Sequence, residues 1–163
     1  MATSNRVVRE GVSAGLIGAS AIAVWFGILD AVSGSLLATP VMLGKSFGSL
    51  FLKGSEPGFA ASFLGYTVLH VALFIMIGLL FSWVVNAAEK APSAMIGFMG
   101  LFVVFEVGWV GWTSVLAEGF GTLSWLQVFM ANLIGAGAMG LYMWRQHPRL
   151  AGRVGDVLAG NEA

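Results

Sequence analysis

Between Phe59 and Val85 the chain runs for 27 residues without one Asp, Glu, Lys or Arg. At about 1.5 Å per helical residue that run reaches roughly 40 Å, enough to cross a hydrocarbon core about 30 Å thick. A helix of this kind has no polar face to turn towards water, so lipid or protein must surround it. Wherever else the chain crosses, each segment must satisfy its own backbone, which long apolar runs achieve as helices. Composition agrees. The chain is 58% hydrophobic and only 10% charged, where a soluble domain carries about 25% charged residues. Its mean hydropathy is +0.87.

Three further runs are long and predominantly apolar, over residues 11–31, 94–116 and 123–144. With residues 59–85 they predict an all-α membrane protein, an antiparallel bundle of four transmembrane helices. Residues 1–145 form one membrane domain, and residues 146–163 form a polar tail. Met1 to Glu10 reads as a short polar segment with Arg6 and Arg9. The first run follows it as a signal peptide would. Its length, and the lack of a small-residue cleavage site before a polar region, predict a retained helix.

Between the first two spans, Ser33-Gly34-Ser35 breaks the chain and Thr39-Pro40 suits a helix start. Residues 40–53 place Leu43, Phe47, Leu50 and Phe51 on one side at helical spacing. Too short to span, this segment reads as an amphipathic helix lying in the interface, or a partial re-entrant one. Arg6, Arg9, Lys90, Arg145, Arg149 and Arg153 fall on the side of the two termini, and only Lys45 and Lys53 on the other. The excess of Lys and Arg predicts both termini in the cytoplasm, in a multi-pass membrane protein. Trp83, Tyr142 and Trp144 then lie towards the inner interface, and Trp112 and Trp125 towards the outer one.

The spans carry few polar groups, and these converge in depth. Asp30 closes the first span, His70 lies in the outer half of the second, Glu106 near the midplane of the third and Asn132 at a similar level in the fourth. Tyr66 and Thr67 stand about one turn before His70, and Gln127 stands nearer the outer surface than Asn132. A carboxylate in hydrocarbon is costly unless paired or protonated, so Asp30, His70, Glu106 and Asn132 make a candidate intramembrane polar site, supported by Tyr66, Thr67 and Gln127. Sequence depth does not say which faces meet.

Small residues mark the packing faces. Gly11, Gly15 and Gly18 form a smooth stripe on the first span, Gly97, Gly100, Gly108 and Gly111 punctuate the third, and Gly135 and Gly140 lie in the fourth. On the third span Glu106 falls on the far side of the helical wheel from Gly97, Gly108 and Gly111. One face is cut for close packing and the other presents a carboxylate, so one of them is expected to meet something outside the bundle.

Several chemistries find no motif here. Cys is absent, which removes disulfides, thiolate metal sites and cysteine nucleophiles. No H-E-x-x-H and no paired Glu-x-x-His occurs, and the two G-x-S-x-G stretches, residues 11–15 and 44–48, lie in expected helices without the strand–turn–helix setting of a nucleophile elbow, so no catalytic residue is assigned. With zero net charge and no basic cluster, no nucleic-acid partner is expected. The eight Met residues scatter over apolar faces as filling. Only His70 and His147 exist, and they lie at different depths, so bis-His haem is not expected. A single axial bond from His70 to haem or a chlorin is the one cofactor arrangement left open.

The stretch from Trp25 to Gly44 resembles small bacterial membrane proteins of unassigned activity, in which W-F-x-x-x-D closes a span before G and then T-P-x-x-L-G. The matching residues are Trp25, Phe26, Asp30, Gly34, Thr39, Pro40, Leu43 and Gly44. The resemblance covers the first helix and the amphipathic segment only, about a quarter of the chain. It implies a bacterial four-span protein and brings no catalytic residues with it.

The two-faced third span, the lack of catalytic motifs and the small extramembrane mass favour an accessory or structural subunit. Its partners would be the lipid bilayer and other membrane subunits, or a second copy of itself. A proton-coupled transporter of small solutes and a haem or pigment protein using His70 are the competing expectations.

Overall fold

The structure, a computed structural model, describes residues 2–51, 57–88, 124–148, 150 and 152. These residues form an all-α, multi-span arrangement. Helices α1 (Ala2–Val32), α2 (Ala38–Phe51), α3 (Phe59–Ala88) and α4 (Trp125–Gln146) follow in chain order. Three are long and apolar enough to cross a membrane: Asn5–Val32 within α1, then α3 and α4 whole. The 14 residues of α2 reach only about 21 Å and do not suffice. The expected third span, residues 94–116 with Gly97, Gly100, Glu106, Gly108 and Gly111, lies outside the described residues.

Helix α1 begins earlier than hydropathy suggests. Residues 2–10 contain neither Gly nor Pro, and Arg6 Nε donates to Glu10 Oε1 at 2.7 Å across one turn. The polar lead is therefore the first turns of the same rod. Its far end is a Schellman turn: Ser35 N–H reaches the Asp30 carbonyl at 3.0 Å and Gly34 N–H reaches that of Ala31 at 3.1 Å. Gly34 occupies the left-handed position at φ +75°, where a side chain would be strained. Helix α4 opens with a capping box, in which the Ser124 hydroxyl accepts from Leu126 N–H and Gln127 Oε1 accepts from Ser124 N–H.

Helix α1 is the centre of the packing. It lies along both α3 and α4, which barely meet each other, and α2 rests mainly on α3. The glycine stripe explains the closeness of the α1–α3 contact. A Cβ added at Gly11 would come within 2.6 Å of the Leu79 Cα, and one at Gly15 within 2.6 Å of the Ile75 Cα. From the other side, one at Gly78 would fall 2.5 Å from the Gly15 nitrogen. The backbones touch. One turn further, Gly18 admits Met139 of α4, and Gly135 of α4 admits Ile22 of α1. A Cβ at Gly140 would meet nothing within 4 Å among the described residues.

These pairings also fix direction. Gly11 meets Leu79 while Ala19 meets His70, so α1 and α3 are antiparallel. Trp25 Nε1 donates to the Gln127 carbonyl at 3.1 Å, while Arg6 Nη2 reaches the Gln146 carbonyl at the other end. Helices α1 and α4 are antiparallel too. It follows that α3 and α4 run the same way, with Ala88 near the start of α1 and Ser124 near its end.

Candidate functional site

Asp30 is 5% exposed, and both of its carboxylate oxygens are engaged. Oδ2 accepts from Thr39 N–H at 2.9 Å, and Oδ1 accepts from the Thr39 hydroxyl at 2.6 Å. The second distance belongs to the charge-assisted class. The first intrahelical carbonyl of α2 is that of Leu37, which accepts from Val41 N–H. Thr39 therefore sits inside the first turn rather than at the cap expected from Thr39-Pro40. Leu37 takes a left-handed φ of 64° just before it. Asp30 thus caps α2 from the end of α1, nine residues away in sequence, and holds the turn between them closed.

His70 ties α3 to α1. Its Nε2 lies 3.2 Å from the Ala19 carbonyl, and a carbonyl only accepts, so this nitrogen carries the hydrogen. In the neutral ring Nδ1 is then a bare acceptor. Tyr66 stacks on the imidazole at 5.5 Å between centroids and 24° between planes, and Phe74 lies on it at 4.8 Å. The Thr67 hydroxyl turns back to the Phe63 carbonyl of its own helix at 2.7 Å.

Asp30, Tyr66, Thr67 and His70 line one groove of about 290 Å³ between α1, the start of α2 and α3. Its walls are mostly apolar, with Leu16, Ile22, Phe26, Phe63 and Val71 among them. Asn132 and Gln127 of α4 are not part of this groove. Gln127 serves its own helix through the capping box. Glu106 lies outside the described residues, and so does any pairing of it with His70.

A second cluster was not anticipated from sequence. Glu10, 3% exposed, accepts from Arg6 at Oε1 and lies 3.1 Å from His147 Nε2 at Oε2. His147 is itself 2% exposed and follows the last turn of α4, its N–H bonded to the Met143 carbonyl. The cluster joins the first turns of α1 to the end of α4, across 137 positions of sequence. The i,i+4 spacing of Arg6 and Glu10 was the only local sign of it. Beside it, a cavity of about 450 Å³ between α3 and α4 is lined by Phe81, Val85, Leu141, Met143 and Trp144. Apart from His147, its walls are apolar.

Among the described residues, no three His, Asp or Glu side chains gather as metal ligands. For a porphyrin or chlorin, Nδ1 is the His70 nitrogen left for axial ligation. The fold and these sites define a multi-span helical membrane protein. Compared with known proteins, the chain matches no family model, no curated protein and no solved structure.

Proposed function

We propose that the chain is a four-span accessory subunit of a bacterial inner-membrane complex, with both termini in the cytoplasm. The four-span reading is supported by connectivity. Ala88 lies near the start of α1 and Ser124 near its end, separated along the bundle by about 39 Å at 1.5 Å per residue of α1. The 35 residues between them must return that distance, and the apolar run 94–116 suits a fourth crossing. Because α3 and α4 barely meet, a helix beside both would complete a square with α1 at the opposite corner. Helix α2 would lie in the outer interface.

The subunit role is carried by one observation: four of the seven polar side chains expected to do chemistry are committed to hydrogen bonds with helix backbone, two of them between helices. Asp30 caps α2, Gln127 caps α4, Thr67 bonds its own helix and His70 bonds α1. Helix α3 meanwhile turns Val68, Leu73, Met76, Ile77 and Leu80 outwards, and only 17% of its most apolar window is buried. Such a face suits lipid and a neighbouring helix alike. The test is extraction in a mild detergent followed by mass measurement of the intact particle. We expect the chain to travel with another polypeptide or a second copy. A particle of one 17.1 kDa chain and detergent alone contradicts the reading.

A further inference from the structure

We propose that the groove between α1, α2 and α3 binds the ring of a hydroxylated aromatic amphiphile of the quinol class, taken from the bilayer, with a ring hydroxyl donating to His70 Nδ1. This goes beyond the subunit reading and stands independently of it.

Beside the exposed Ser20 hydroxyl, two polar groups of the lining bear on the choice of ligand. The His70 ring is held by the bond from Nε2 to the Ala19 carbonyl, which leaves Nδ1 as an acceptor with no hydrogen-bond partner among the described residues. The Tyr66 hydroxyl also has no hydrogen-bond partner among them, and its ring stacks on the imidazole from one turn away. Both side chains line the groove. In an apolar setting such groups attract a ligand that pairs with them. A plain acyl chain would leave both unpaired.

Size and access narrow the class further. At about 290 Å³ the groove stands at the lower limit of ligand pockets, roughly 300 Å³, which suits one substituted ring rather than a large headgroup. Phe26 and Phe63 supply flat apolar walls that favour an aromatic guest. Leu16 and Leu37 at its margin are substantially exposed, and Gly27 has open space beside it. This apolar margin suits a membrane-dissolved molecule over a polar solute. Asp30 also lines the groove, but its oxygens already serve Thr39, so the donor is directed to His70.

The test uses the full chain in phospholipid nanodiscs with ¹⁵N-labelled histidine. The probes are a short-tailed benzoquinol, its dimethyl ether and palmitate. The quinol should saturate and move the Nδ1 resonance, leaving the Nε2–H signal to Ala19 in place. The ether, which cannot donate, should bind about ten-fold more weakly, the change that loss of one hydrogen bond of about 1.4 kcal/mol produces. Tyr66→Phe keeps the stack and should weaken the quinol several-fold, and Ala23→Phe should close the groove. Retention of the Nε2–H signal in each variant shows that the fold survives. Equal binding of ether and quinol, full displacement by palmitate, an Nδ1 resonance unmoved at saturation, or no saturable binding would each overturn the proposal. The ligand comparison uses the unaltered chain, so a variant that fails to fold does not protect it.

Discussion

Replacing Asp30 by Ala removes the carboxylate that bonds the end of α1 to the first turn of α2. Two charge-assisted bonds are lost, at 2.9 and 2.6 Å, each worth about 1.5–3 kcal/mol. The first-turn N–H of Thr39 is left without its acceptor in a buried setting, since Thr39 is 7% exposed. Local relaxation lets water or the vacated space recover part of this, so a total near 3 kcal/mol is the working value. An ordinary N-cap deletion costs about 1 kcal/mol, and the excess is the signature of a cap that also fastens two helices. Asp30→Asn keeps an acceptor for the N–H and should cost about 1 kcal/mol. Thr39→Val keeps the N–H bond and removes only the hydroxyl. The assay is reversible unfolding in mixed micelles for the two single variants and their combination. The Asp30→Ala and Thr39→Val cycle should show a coupling of about 1–2 kcal/mol. Amide exchange should accelerate selectively in the first turn of α2. Unchanged stability in Asp30→Ala, or additive single effects, would refute the reasoning.

Four other substitutions probe the helix packing and the buried polar groups. Gly15→Leu pushes a side chain into the Ile75 backbone and should cost at least the 1–3 kcal/mol of an overpacked core, whereas Gly140→Ala should be nearly neutral; the same micelle titration reads both. Glu10→Ala strands His147 at the end of α4 and should cost about 3 kcal/mol, the low end for a broken buried pair because Arg6 reaches solvent. Limited proteolysis after residue 146 should then become faster. Among the described residues the Ser82 hydroxyl is buried without a partner, so Ser82→Ala should leave stability unchanged or raise it by up to about 1 kcal/mol; a clear loss would mean that this hydroxyl is bonded.

The long elements were legible because hydropathy and length decide them. The runs 11–31, 59–85 and 123–144 fall within or almost within α1, α3 and α4. The Gly11-Gly15-Gly18 spacing marked a smooth face, and that face carries the backbone contact with α3. What the pattern could not supply was azimuth. Rise per residue sets the depth of His70, but only tertiary packing sets its bond to Ala19 rather than to another polar group. Asp30 reads as a span end on its own, and its role at Thr39 depends on a Schellman turn that folds the chain back. The Glu10–His147 contact joins opposite ends of the sequence, and no local periodicity encodes such a pair. Residues 2–10 read as a polar lead because their charges dominate hydropathy, although nothing in them interrupts a helix.

The central architectural claim is that residues 89–123 return across the membrane, leaving both termini on one face. The chain has no Cys, so single cysteines introduced at Ser4, Gly58, Ala91 and Gly121 report cleanly on sidedness. In sealed inverted and right-side-out vesicles, an impermeant thiol reagent should label positions 4 and 91 from the cytoplasmic side and positions 58 and 121 from the other. Labelling of positions 91 and 121 from the same side would contradict the account.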